Sequence, residues 1–227
     1  MIGIKVTLPV ACFRKGMARE YLETYELPPP STCYGFLLSL VGETDREAHL
    51  GARVTAEMLG LPPRSVVLRT VWRLKKTPLG SPGNTRPDYQ QLLTNIELVI
   101  WLDSTDETPA EGKAKLEERI LLALDPAHRG EIDRFGGLSL GESTHLVNDV
   151  SLYCSPSELK SAHSTLDNST SDSEGSSRLF LLDENGLTTL PVWVDHVGSE
   201  KTRYAVGNIV PGRLTPPDVD FIPVIHS

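Results

Sequence analysis

An α+β fold with its elements in the order β-α-β-β-α-β is predicted by three observations on this sequence. Ile2, Ile4, Val6, Leu8 and Val10 alternate with Gly3, Lys5, Thr7 and Pro9, the period-two pattern of a half-buried strand. Residues 66–76 and 92–102 repeat that pattern on either side of a segment rich in Pro, Gly and polar groups. Two apolar patterns of helical period separate the strands at the places the order requires.

Taken in order, the first strand frays or meets an edge at Pro9, which has no N–H for a ladder. Pro28, Pro29 and Pro30 then stiffen the approach to a helix, and Ser31 or Thr32 stands where an N-cap belongs. Tyr34, Leu37, Leu38 and Val41 follow at i, i+3, i+4 and i+7, so one helix face is apolar. The second strand, 66–76, puts Val66, Leu68, Thr70, Trp72 and Leu74 on one face. Arg69, Arg73 and Lys75 share the other with Val67 and Val71. Residues 77–91 are a loop. In the third strand Leu92, Ile96, Leu98, Ile100 and Leu102 line one face. Thr108, Pro109 and Glu111 have the spacing of a capping box with proline at the first helical position. The helix they open runs to about residue 124, with Leu116, Ile120, Ala123 and Leu124 toward the core. A fourth strand fits 143–153.

This order is the ferredoxin-like arrangement, shared with RNA-recognition motifs. It hosts many unrelated activities and does not settle function. The expected organisation is a ferredoxin-like domain over 1–153, a Ser-rich flexible loop over 154–177 and a small C-terminal β unit over 178–227. The loop segment 155–177 holds nine serines and few apolar residues, too few to order itself by burial. Strand patterns at 178–182, 188–195 and 204–210 build the last unit.

Composition narrows the class. With 227 residues, 39% hydrophobic and 23% charged, the chain is long enough to bury a core and is ordinary for a soluble protein. It shows no apolar run of membrane-spanning length and no basic-then-apolar leader. Cys12, Cys33 and Cys154 are odd in number and lack CxxC spacing, which points to reduced thiols in the cytoplasm rather than a disulfide or zinc frame. Asn168-Ser169-Thr170 matches a glycosylation sequon by chance on that reading. The net charge of −8 argues against nucleic acid until its distribution is read. Residues 64–86 carry six basic residues, Arg64, Arg69, Arg73, Lys75, Lys76 and Arg86, and no acid. Such a run is either a solvated face or a basic stripe for a polyanion.

Two segments carry candidate binding chemistry. The stretch 13–42 joins Arg14, Lys15 and Arg19 to the proline arm and a helix N-terminus, whose free N–H groups and dipole favour anions. In 134–145, RFGGLSLGESTH, Gly136, Gly137 and Gly141 let backbone approach a phosphate. The spacing is that of neither a P-loop nor a dinucleotide fingerprint, and taken alone the segment is a tight loop feeding the fourth strand. The six histidines are scattered without metal spacing, and no GxSxG elbow is present. No cofactor is called for.

Phe13-Arg14, Arg19-Glu20-Tyr21, Thr24-Tyr25, Pro29-Pro30-Ser31-Thr32, Gly35-Phe36-Leu37 and Leu40-Val41-Gly42-Glu43 occur in that order over thirty residues. This run resembles the N-terminal signature of the Cas-five family, the RAMP subunit of type I CRISPR interference (Cascade) complexes. Beyond it the resemblance rests on element order. It implies a ferredoxin-like core, a thumb over about 73–92 that packs on RNA backbone, and a glycine-rich loop that touches RNA. The implied function is a structural, non-enzymatic subunit that holds the 5′ handle of the crRNA and caps the backbone filament. Its implied partners are backbone RAMP subunits and the large subunit, with target DNA near the PAM end as an open addition. The RNA-binding residues expected from it are Arg14, Lys15, Arg19, Tyr21, Ser31, Thr32, Tyr34, Gly35, Arg73, Lys75, Lys76, Arg86, Gly136, Gly137, Gly141, Ser143 and His145. One branch of the family cuts precursor CRISPR RNA without metal through a Tyr, a Lys and a His. The adjacent Lys-His pair of that branch is missing here, although Tyr21, Tyr25, Lys75, Lys76 and His145 could supply fragments. A protein-interaction module without an RNA role is the remaining alternative.

Overall fold

The computed structural model describes residues 1–227 except 17, 19, 73–77, 79, 82–83, 155–176, 196 and 198. It is a mixed α/β structure built on one large antiparallel sheet with two helices. Strand β1 (Ile2–Ala11) lies between β6 (Thr85–Asp103) and β8 (Asp149–Leu152), antiparallel to both. On the far side of β6 runs β4 (Arg53–Met58), followed by β9 (Arg178–Leu182), β11 (Arg203–Pro211) and β10 (Thr188–Trp193). The resulting order is β10-β11-β9-β4-β6-β1-β8. The C-terminal strands thus extend the main sheet.

Helices α1 (Pro30–Leu40) and α2 (Leu116–Leu124) cover one face. Their buried Leu37, Leu40, Leu116 and Ile120 meet Ile4, Val6, Leu8, Val54, Leu98 and Ile100 from the sheet in one cluster. The other face carries a smaller cluster around Val99, Trp101 and Leu179. There Glu57 is buried, with no ion pair to it among the described residues. Its carboxylate accepts from the Trp101 indole at 2.9 Å, the Ser177 hydroxyl at 2.6 Å and the Leu214 N–H at 2.8 Å. Three donors on one carboxylate are what make its burial tolerable.

Several expectations are corrected. The strand placed over 66–76 is β5 (Arg64–Trp72), and it pairs with the outer half of β6 instead of entering the core. The core neighbour of β6 is β4, in which Val54, Ala56 and Met58 alternate with Arg53, Thr55 and Glu57, and whose polar positions Thr55 and Glu57 are buried as well. Much of the loop expected at 77–91 is strand: β6 begins at Thr85 and passes through Pro87, whose missing N–H is tolerated in the hairpin arm. The last core strand is shorter than 143–153.

The α2 helix does not start at Pro109. Thr108–Pro109 forms a short strand, β7, against β3 (His49–Leu50). The helix begins seven residues later because Glu107 supplies its cap, accepting from the Leu116 N–H at 3.0 and 3.1 Å. Glu107 is itself held by His49 Nδ1 at 2.6 Å, and His49 Nε2 accepts from Arg119 at 2.8 Å. Arg119 continues to Glu43 at 2.6 Å and to the Val41 carbonyl at 3.1 Å, while Lys113 reaches Glu43 at 2.7 Å. This chain of polar contacts ties the end of α1 to the start of α2. Burial opposes the charge on Glu43, but the Lys113 and Arg119 bonds outweigh it and hold the carboxyl down to about 2.

Candidate nucleic-acid interface

Beyond the core sheet, β5 and the outer half of β6 project as a two-stranded arm, with β2 (Tyr21–Leu22) parallel to β6 on its other edge. The two faces of this arm differ. Residues opposite one another in a ladder share a face, so Val67, Gln90 and Leu22 lie together, with Arg69 and Asp88 beside them. Leu22, Gln90 and Asp88 are buried, and the glycine-rich loop closes over this side. Arg69 bonds Glu142 of that loop at 3.4 Å, and Arg86 pairs with Asp88 at 2.5 Å. The ion pair with Asp88 raises the affinity of Arg86 for its proton further, so this cation is permanent.

The loop owes its shape to His145 and Gly141. Leu138 and Leu140 pair backbone groups with Val147 and His145, closing the segment on itself. His145 is buried, and its Nδ1 accepts from the N–H groups of Cys12 at 3.2 Å and Glu142 at 3.3 Å. Both contacts require Nδ1 unprotonated, and burial pushes the imidazole below its ordinary value, keeping it neutral. Gly141 has φ +98°, and a Cβ there would stand 2.9 Å from the Cys12 carbonyl oxygen. The loop is therefore pinned against the end of β1, where the Arg14–Lys15 turn begins. Burial raises the Cys12 thiol against a bond from Gln90, so it stays protonated at neutral pH.

In that turn Arg14 bonds the Ala18 carbonyl at 2.8 Å, and Lys15 pairs with Glu23 at 3.4 Å. Exposed pairs of this kind are worth under about 1 kcal/mol, so a phosphate can compete for Lys15. Tyr21 is exposed on β2. Gly136 and Ser143 are exposed on the loop, while a Cβ on Gly137 would press on Leu146 at 3.2 Å. Arg14, Lys15, Tyr21, Arg86, Gly136, Gly137, Gly141, Ser143 and His145 thus fall on one connected set of segments: arm, loop and turn.

The helix start is a different matter. Ser31 and Thr32 lie inside α1, whose N-cap is Pro29, and neither makes a side-chain cap. The Thr32 and Cys33 N–H groups already donate to the Pro29 carbonyl at 2.9 and 3.0 Å, and Pro28 to Pro30 are buried. The anion site expected there is spent inside the fold. Tyr34 is buried as well, donating its hydroxyl to the Arg46 carbonyl at 2.8 Å, so its ring cannot stack on a base. Gly35 is exposed with open space at its Cα. Arg19, Arg73, Lys75 and Lys76 lie outside the described residues.

Sequence reasoning missed Arg69, Gln90 and Cys12 as organisers of the site, and Tyr89 on the arm, which fell in the presumed loop. The alternation Arg86, Asp88, Gln90 against Pro87, Tyr89, Gln91 was the available signal. Among the described residues, no group of His, Cys, Asp and Glu could hold a metal ion, and no helix is long and apolar enough to cross a membrane.

No protein-family model matches the chain. A solved structure described as a CRISPR RNA-guided surveillance complex shares this fold, with a TM-score of 0.55 over 92% of this chain and 89% of that one, at 15% identity. A crystal structure of a Cas protein aligns with a TM-score of 0.47, covering 95% of both chains at 14% identity. In sequence, the CRISPR-associated protein Cas5 of Myxococcus xanthus (strain DK1622) is 48% identical over 227 residues, covering 99% of this chain and 97% of that protein. Identity at nearly half of all positions, end to end, makes this chain a member of the CRISPR-associated Cas5 family.

Proposed function

We propose that the chain is an RNA-binding structural subunit of a type I CRISPR interference complex, holding the 5′ handle of the crRNA and capping one end of the backbone filament. The observation that carries this reading is the convergence of the basic arm, the glycine-rich loop and the Arg14–Lys15 turn through the Arg69–Glu142 and Cys12–His145 contacts. Phosphates would be gripped by Arg14, Lys15, Arg19, Arg73, Lys75, Lys76 and Arg86, which fixes register rather than reading sequence. The exposed backbone around Gly136 and Ser143 would meet the RNA beside them. Backbone RAMP subunits, the large subunit and target DNA near the PAM end complete the partners, in the cytoplasm, where the free Cys12, Cys33 and Cys154 suit a reducing compartment.

The order β4-β6-β1-β8, with α1 and α2 as crossovers, supports a ferredoxin-like core over 1–153. Strands β9 to β11 then form an added unit over 178–227, joined through 154–177. The role is not enzymatic: both N–H contacts of His145 occupy the ring nitrogen a general base would use, and Tyr25, which burial pushes above its ordinary value, holds its proton.

The test is binding of the purified chain to a synthetic CRISPR repeat RNA over a salt series, with charge-reversed Lys75, Lys76 and Arg86. The expected result is intact RNA bound with an affinity that falls steeply with salt, and a shallower slope in the variant. Unchanged affinity and slope in the variant would refute the phosphate grip. Cleavage in chelator would refute the structural role.

A further inference from the structure

The arm has a second face. The pairings Tyr21↔Tyr89 and Leu68↔Tyr89 set Tyr21, Tyr89 and Leu68 in one row across β2, β6 and β5. Val66 lies on the same side, two residues from Leu68. These four side chains are 41%, 49%, 61% and 50% exposed, in the order Tyr21, Tyr89, Leu68, Val66. The tyrosine rings lie 6.3 Å apart at a 32° tilt, and Gln91 donates to the Tyr21 hydroxyl at 3.2 Å, restraining that ring. The reverse side of the same strands is buried at Leu22, Asp88 and Gln90. The exposure of these apolar and aromatic side chains is therefore greatest on one face of an ordered ladder, with Val67 at 37% on the reverse side.

We propose that the Tyr21–Tyr89 row is a stacking platform for unpaired bases of single-stranded RNA, with Leu68 and Val66 as its apolar flank. This rests on reading the arm as an RNA interface, and it adds base contacts to a site otherwise built from phosphate contacts. Charge decides the occupant. Residues 64–86 of the sequence carry six basic residues and no acid in a chain of net charge −8, so the polymer complementary to this segment is a polyanion. Arg64, Arg69 and Arg86 of that run meet Glu26, Glu142 and Asp88 within the fold, and phosphates can compete for the exposed pairs where a neutral protein surface on the apolar row cannot. Tyrosine rings with a free π-face accept every base, so the platform holds RNA in place without selecting its sequence.

The test measures affinity of the full chain for a labelled single-stranded repeat RNA, comparing Tyr21→Ala, Tyr89→Ala and Tyr89→Phe, each checked for an unchanged melting temperature. Each alanine variant is expected to bind about tenfold more weakly, the loss of one base–aromatic stack, while the phenylalanine variant binds as the parent does. A scan of single abasic nucleotides against the unmutated protein needs no folded variant. One or two positions are expected to lose the same factor, and Tyr89→Ala should then cost nothing further on that RNA. Affinity within twofold of the parent in both alanine variants, together with a flat abasic scan, would overturn the platform while leaving phosphate binding intact. Normal RNA affinity with impaired capture of a neighbouring subunit would make the row a protein surface instead. No RNA binding by the unmutated chain, alone or in its complex, would remove the interface reading itself.

Discussion

Glutamine at position 43 tests the polar chain that joins the two helices. The Glu43 carboxylate is 6% exposed and lies 2.7 Å from Lys113 and 2.6 Å from Arg119. Its other oxygen accepts from the Thr44 and Asp45 N–H groups at 3.0 and 2.9 Å. A carboxyl held from 4.5 down to about 2 contributes on the order of 3 kcal/mol at neutral pH, at about 1.4 kcal/mol for each tenfold change in proton affinity. The sign follows from the direction: the folded state binds the proton more weakly, so the stabilisation is complete above about pH 4.5. It declines as pH falls and is gone below about 2. Glu43→Gln keeps the shape but loses the charge and cannot accept from the two cations and the two N–H groups at once, so it should lose about 3 kcal/mol at pH 7. Urea unfolding of parent and variant at a series of pH values reads the difference directly. The gap should close between pH 4.5 and 2. A gap that stays constant through that window, or is absent at pH 7, refutes the coupling.

Three further outcomes follow from contacts described above. Gly141→Ala should destabilise the chain by about 1–3 kcal/mol, because φ +98° is strained for alanine and its Cβ meets the Cys12 carbonyl; urea unfolding reads the cost and RNA affinity should fall with it. His145→Ala strands the buried Cys12 N–H and the partly buried Glu142 N–H, at about 1–3 kcal/mol, and the variant should leave repeat RNA as uncut as the parent does on a denaturing gel. Glu107→Ala removes both the α2 cap and the partner of His49, and about 2 kcal/mol or more should be lost. Amide exchange should accelerate first at Leu116 and the residues just after it.

What the sequence made legible was periodic. The strand at the N-terminus, the core faces of both helices and the 178–182 strand were visible because apolar side chains recur at the spacing of their element. The strand at 53–58 carries the same alternation, but its burial on both faces was not legible, since Glu57 reads as an exposed acid. Only Trp101, Ser177 and Leu214, from 44 to 157 residues away, make it a buried one. The capping box at Thr108 failed for a similar reason: a carboxylate one residue upstream had the better partner in His49, 58 residues back. At the candidate interface, the glycine-rich loop and the basic run were evident as compositions. That they meet was not, because the link is Arg69 bonded to a carboxylate, Glu142, 73 residues away. Tyr34 was the reverse case. Its place in the apolar stripe of α1 already announced a core residue, and the resemblance to an RNA-binding signature drew attention from that.

The most direct test of the central claim is a crosslinking map of the reconstituted complex, with 4-thiouridine placed singly along the crRNA. The account predicts crosslinks to this chain from the 5′ handle and its junction with the spacer, with Tyr21 or Tyr89 among the modified residues. Crosslinks confined to the spacer interior or the 3′ end, or none to this chain from any position, would contradict it.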